Sequence, residues 1–228
     1  MPPFFPPTDR VGVKICGITT AEQGRAIAAL GADALGVNFW ARSKRFIDPA
    51  EASAWLPELR SLTSVIAVLV NPDQALLDRL AAEPIVHQVQ LHGDESPAMV
   101  EALMARGLDV IKALQVRNRE SLNALGDYPC RTLLLDAHNP GSYGGGGITF
   151  PWELFLTARA LHPDKTLILS GGLTPANVAE AVRLTRPAAV DVASGVERTP
   201  GIKDLEQVAA FIQATRAAST YHPLRSGG

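Results

Sequence analysis

The sequence predicts a single (β/α)8 TIM barrel, and three observations point to it. Eight short β-rich runs alternate with stretches of helical composition within 228 residues, close to the roughly 250 residues typical of that architecture. The first run is apolar on one face and carries Lys14 and Cys16 on the other. That pattern suits a strand covered outside by helices and open inside onto a site. Polar residues recur where the runs end, the rim at which such a barrel gathers its chemistry. A doubly wound open sheet is the alternative, because alternation alone does not close a sheet.

The elements follow in order. Residues 1–10 hold four prolines and lack a basic segment followed by an apolar one, so they are expected to be a flexible lead-in and not a signal peptide. The first strand, Val11–Cys16, puts Val11, Val13 and Ile15 on one face and Gly12, Lys14 and Cys16 on the other, and Gly17 ends it. Strands are then expected at Ala34–Phe39, Val65–Val70, Val86–Leu91, Val110–Leu114, Thr132–Asp136, Thr166–Ser170 and Ala189–Ala193. Helices are expected over Pro49–Arg60, Pro72–Ala82, Ser96–Arg106 and Pro175–Arg186. Several open on proline, whose missing N–H costs nothing in a first turn. A last helix runs from about Asp204 to Ala217, so one catalytic domain spans 11–217 and 218–228 form a tail.

Composition excludes several classes. The chain is 46% hydrophobic and 19% charged with a formal net charge of −2, which gives no electrostatic case for nucleic acid or an anionic membrane. No apolar run approaches the ~18 residues that span a bilayer. The two cysteines, Cys16 and Cys130, stand far apart without CxxC spacing. They fit a reducing cytoplasm and argue against a disulfide framework or a zinc site. His87, His138, His162 and His222 have no ligand spacing, so no metal is expected.

Strand parity places Cys16, Asn38, His92 and Asp136 on the inward face at their strand ends, with Lys112 and Asp191 a little deeper. The first and last strands of a closed barrel are neighbours, which would let Lys14 face and neutralise Asp191. Ser170-Gly171-Gly172 follows the seventh strand and Ser194-Gly195 the eighth. Barrels that take phosphorylated substrates hold the phosphate between these two loops, where glycines let backbone N–H groups approach its oxygens. The run Gly144 to Gly147 lacks GxGxxG context and no lysine follows in P-loop spacing, so no nucleotide is implied. The segment from His138 to Ile148 reads as a lid.

Lys14-Ile15-Cys16-Gly17-Ile18-Thr19, Ser43-Lys44-Arg45-Phe46, Gln90-Leu91-His92-Gly93, Leu134-Leu135-Asp136, Gly171-Gly172, and Val190-Asp191-Val192-Ala193-Ser194-Gly195-Val196-Glu197 with Pro200-Gly201 and Lys203-Asp204 resemble the phosphoribosylanthranilate isomerase family of tryptophan biosynthesis. The resemblance runs in order from about Val11 to Ala217. Two positions depart from the family pattern, Gly146 where threonine is commoner and Ala193 where serine is. Neither removes a catalytic group.

The resemblance implies an Amadori rearrangement of N-(5′-phosphoribosyl)anthranilate to the 1-deoxyribulose aminoketose. Cys16 would be the general base and Asp136 the general acid. Arg45 would meet the anthranilate carboxylate, a task suited to a planar guanidinium. Gly171, Gly172, Ser194 and Gly195 would hold the phosphate, and Asp191 would contact substrate. No cofactor and no metal are expected, since the iminium intermediate is itself the electron sink. A thiol of reference pKa about 8.5 needs a cationic neighbour, or that iminium, to act as a base near neutrality. The implied partner is a small phosphosugar, the implied assembly a monomer or homodimer, and the implied compartment the cytoplasm. The alternatives are a histidine-pathway ProFAR-type isomerase, which carries aspartate where Cys16 stands, and a non-catalytic phosphate-ligand binder on the same scaffold.

Overall fold

Each expected strand is present: β1 (Gly12–Cys16), β2 (Ala34–Asn38), β3 (Ser64–Leu69), β4 (Gln88–Leu91), β5 (Val110–Val116), β6 (Thr132–Ala137), β7 (Thr166–Leu169) and β8 (Ala189–Val192). The computed structural model describes residues 10–83, 85–137 and 150–219. The strands pair in chain order around a closed parallel barrel, so the open-sheet alternative is excluded. Closure sets β1 beside β8 with Lys14 in register with Asp191.

Side-chain alternation divides the core in two. Inside the barrel, Ala34, Ile66, Ile111, Ala113, Leu134, Ile168 and Ala189 form a small buried cluster. Their outward neighbours, among them Val13, Ile15, Leu35, Leu135 and Val190, join the larger core under the helices. The same alternation corrects one expectation. Ile111 and Ala113 point inward, so Lys112 between them points outward, where it is buried against the β4–β5 side of the wall rather than the site.

The helices are α1 (Ala21–Ala29), α2 (Pro49–Ala52), α3 (Leu56–Leu62), α4 (Gln74–Ala82), α5 (Pro97–Ala105), α6 (Trp152–Leu161), α7 (Val178–Thr185) and, after the last strand, α8 (Leu205–Ser219). The helix expected over Pro49–Arg60 is two, because Pro57 has no N–H to continue the first and sits in the opening turn of the second. The next starts at Gln74, since the Asp73 carboxylate accepts the Leu76 N–H at 2.8 Å and so caps it. α7 begins three residues later than expected, after a turn in which the Asn177 carboxamide oxygen accepts the Thr174 N–H at 2.8 Å. Between β5 and β6 a 3-10 helix over Glu120–Asp127 takes the place of an α-helix. After β8 the chain adds a short antiparallel ribbon, β9 (Glu197–Thr199) with β10 (Ile202–Lys203). The segment expected to be a lid, with Gly146 and the Gly144 to Gly147 run, lies outside the described residues, as do residues 1–9 and 220–228.

Candidate active site

The C-terminal rim of β1 carries the first half of the site. Lys14, fully buried, donates from Nζ to Asp191 Oδ1 at 2.7 Å, and Ser170 Oγ donates to the other carboxylate oxygen at 3.3 Å. Burial works against the charge on Lys14, but the neighbouring Asp191 and Cys16 outweigh it and raise its pKa. Glycine at position 36 of β2 leaves the space these groups occupy. A methyl there would come within 2.7 Å of Cys16 Sγ and 3.1 Å of Lys14 Nζ. Desolvation pushes the Cys16 thiol above its ordinary range, Lys14 and Lys203 pull it down, Asp191 pushes it up, and the net shift is upward.

Arg45 lies across the end of β1. Gly17 has φ of +84°, and any Cβ there would collide with the Arg45 side chain, so glycine is required twice over. The guanidinium is bidentate on Glu197, Nε to Oε1 at 2.8 Å and Nη2 to Oε2 at 2.6 Å. Lys203 Nζ donates to Glu197 Oε1 at 2.8 Å and to the Ala193 carbonyl at 3.0 Å. Burial of Glu197 opposes its ionisation, but Arg45 and Lys203 prevail and lower its pKa. The Arg45 loop is held to β2 by Asn38, whose carboxamide oxygen accepts the Trp40 N–H and whose carbonyl accepts the Ile47 N–H.

Asp136 and His92 form the opposite wall. Asp136 Oδ1 accepts the Ala137 N–H at 2.9 Å. His92 Nε2 stands 3.3 Å from Asp136 Oδ2, close enough for an ion pair but out of hydrogen-bond alignment. Gln90 Nε2 lies 2.9 Å from His92 Nδ1. The seventh-strand loop touches this wall: Gly171 has φ of +90°, and a methyl on it would sit 2.7 Å from the Ala137 nitrogen and 3.0 Å from Asp136 Oδ1. Gly195 in turn abuts the Leu173 carbonyl so tightly that no side chain fits. Asn177 props the same loop by donating to the Gly172 carbonyl at 3.0 Å. Among the described residues the N–H groups of Gly171 and Gly172 donate to no protein acceptor.

Cys16, Asp136, Asp191, Ser170, His92 and the two glycine loops therefore meet at one rim, as parity suggests. Asn38 is inward but occupied in holding its own loop. Cys130 is buried just ahead of β6, at the far end. Sequence reasoning assigned no task to Glu197, Lys203 or Gly36. The first two stood within the matched motifs, and their partners only become visible on folding; the Gly36 contact depends on the β1–β2 register.

A closed (β/α)8 barrel with a thiol, a carboxyl and paired glycine loops at its catalytic rim defines a barrel enzyme. The sequence profile of N-(5′-phosphoribosyl)anthranilate (PRA) isomerase matches residues 13–214. The isomerase of Geobacter sp. (strain M21) is 43% identical over 207 residues, 91% of this chain and 98% of that protein. That of Myxococcus xanthus is 42% identical, covering 92% and 99%. The crystal structure of phosphoribosyl anthranilate isomerase from Thermotoga maritima aligns with a TM-score of 0.80 at 39% identity, over 90% of this chain and 98% of that one. A further crystal structure of the isomerase, in complex with reduced 1-(o-carboxyphenylamino)-1-deoxyribulose 5-phosphate, aligns at 0.77 and 37% identity over the same shares. The chain belongs to the N-(5′-phosphoribosyl)anthranilate isomerase family.

Proposed function

We propose that this enzyme converts N-(5′-phosphoribosyl)anthranilate to 1-(2-carboxyphenylamino)-1-deoxyribulose 5-phosphate in tryptophan biosynthesis, with Asp136 as general acid and Cys16 as general base. The observation that carries this reading is the placement of the two groups on β6 and β1, at one rim and on different sides of the barrel mouth. Asp136 protonates the furanose ring oxygen, the C1′–O bond breaks, and the anthranilate nitrogen lone pair forms the iminium. Cys16 then removes the C2′ proton to give an enolamine, which gains a proton at C1′ and loses one from the 2′ hydroxyl to become the ketone.

The raised thiol suits a base switched on by substrate. The iminium places a positive charge near Sγ when the proton must leave, adding to Lys14 and Lys203. Gly171, Gly172, Ser194 and Gly195 are the phosphate cradle, supported by the N–H groups of Gly171 and Gly172, which have no acceptor among the described residues. Arg45 receives the anthranilate carboxylate while Glu197 holds its guanidinium in place. Asp191, anchored by Lys14, meets a sugar hydroxyl. The working unit is the barrel of residues 11–217, acting in the cytoplasm as a monomer or homodimer on a phosphosugar, without metal or organic cofactor. No described helix is long and apolar enough to cross a membrane.

The test follows the fluorescence decay of freshly prepared phosphoribosylanthranilate without added metal. Wild type turns it over. Cys16→Ala and Asp136→Asn each lose about 10²–10⁴-fold in kcat while keeping the wild-type circular dichroism. Turnover that survives removal of Cys16 removes it as the base.

A further inference from the structure

The acid has a partner that the two-residue mechanism does not use. His92 stands at the end of β4, and β5 lies between it and Asp136 on β6. The inward residue of β5 next after the Leu91–Lys112 pair is Ala113, so a short side chain leaves a passage for the imidazole to reach across one strand. Nε2 comes within 3.3 Å of Asp136 Oδ2. Behind the ring, the fully buried Gln90 turns its amide nitrogen on Nδ1 at 2.9 Å, and its own Oε1 has no partner among the described residues. An amide NH2 can only donate, so with the amide in this orientation Nδ1 accepts and the ring proton resides on Nε2, facing the carboxyl.

We propose that His92 is a positioning residue for the general acid, held by Gln90 as the Nε2–H tautomer so that it donates to Asp136 Oδ2 as that carboxyl gives up its proton. This inference rests on Asp136 being the acid. Proton transfer to the ring oxygen leaves a carboxylate in a nearly dry pocket, with Oδ1 already held by the Ala137 N–H. The Nε2–H supplies the second donor to the charge formed in the transition state. The resting contact is misaligned, as catalytic hydrogen bonds often are before substrate tightens them. Among the described residues, the other titratable groups at this rim are Cys16 and Lys14 from β1 and Asp191 from β8, with Arg45, Glu197 and Lys203 linked to one another beside Cys16. The Lys112–Glu95 pair is on the far side of the wall, closed on itself at 3.0 Å.

The test compares His92→Ala, His92→Gln and Gln90→Met with Asp136→Asn, measuring kcat and KM on phosphoribosylanthranilate. His92→Ala lowers kcat on the order of tenfold to a hundredfold, less than loss of the acid itself, with KM nearly unchanged. His92→Gln, which keeps an N–H at similar reach, restores the rate. Gln90→Met, which frees the tautomer, falls between. A His92→Ala enzyme with wild-type kcat overturns the proposal, as does a loss that appears in KM alone, or a rate loss that His92→Gln does not recover in a folded protein. If Asp136→Asn itself retains activity, the acid assignment fails and the role of His92 fails with it.

Discussion

At the scale of single residues, the site is governed by how close groups are allowed to come. Lys14 and Asp191 would each be costly alone in the barrel interior and are tolerable only together. Gly36 makes the room for that pair and for the thiol. Gly36→Ala sets a methyl 2.7 Å from Cys16 Sγ, and a rigid strand cannot retreat from it. Displacing a reacting atom by about 1 Å costs on the order of a hundredfold in rate. The expected result is a loss of kcat of that order with the circular dichroism of the native barrel, read by the same fluorescence decay. An unchanged kcat would mean that the thiol does not need its present position. Arg45 illustrates the converse, a cation held in one orientation by the bidentate carboxylate of Glu197.

At the scale of elements, the strand-end loops are tied together by a buried ion pair outside the catalytic rim. Lys112 Nζ donates to Glu95 Oε2 at 3.0 Å and to the carbonyls of Gly93 at 2.8 Å and Ala113 at 2.9 Å. Glu95 in turn accepts the N–H groups of Asn71 and Gly93, so one carboxylate ties the ends of β3 and β4 to Lys112 on β5. Burial outweighs the pull of Glu95 and lowers the pKa of Lys112. Lys112→Met leaves that carboxylate buried without its cation and is expected to cost about 3–5 kcal/mol in urea unfolding. The double variant Lys112→Met with Glu95→Gln keeps an acceptor for the two N–H groups and recovers most of the loss. Equal stability of the single variant and wild type would show the clamp to be dispensable. An outward lysine on a strand was misplaced by parity because a one-residue offset between the expected and actual inward set reverses every face. Here Ile111 and Ala113, not their neighbour, fill the barrel.

At the scale of the whole molecule, stability carries a pH dependence from the bottom of the barrel, far from the chemistry. His87 Nδ1 accepts the Val65 N–H at 2.9 Å, joining the starts of β3 and β4, and only the neutral ring can do so. Burial, with the charge of Arg60 adding to it, depresses its pKa to about 4 from an ordinary 6.5. A folded value below the unfolded one means that the contribution is fully present above about pH 6.5 and is lost as pH falls towards 4. The melting temperature should therefore drop through that window, and His87→Asn, which offers a non-titrating acceptor, should drop less. Parallel curves for the two proteins would remove His87 as the cause. His87 is partly exposed, so solvent screens part of this effect.

The local pattern of the chain determined the eight strands, several of the helices that follow them and the inward placement of Cys16, Asp136, His92 and Asp191, because each depends on a short-range period or on the motif at a strand's end; closure of the sheet into a barrel was settled by the fold. Lys14 could be matched to Asp191 for one further reason, that a closed ring must make its first and last strands neighbours. Tertiary structure alone decided the break at Pro57, the 3-10 crossover before β6, the outward face of Lys112 and the bonds Arg45–Glu197–Lys203 and Gln90–His92–Asp136. Arg45 and Glu197 are 152 positions apart in the chain, and no periodicity links such residues. They meet because strand register and loop geometry bring their backbones together, and a buried charge or ring nitrogen takes whichever partner then lies within reach.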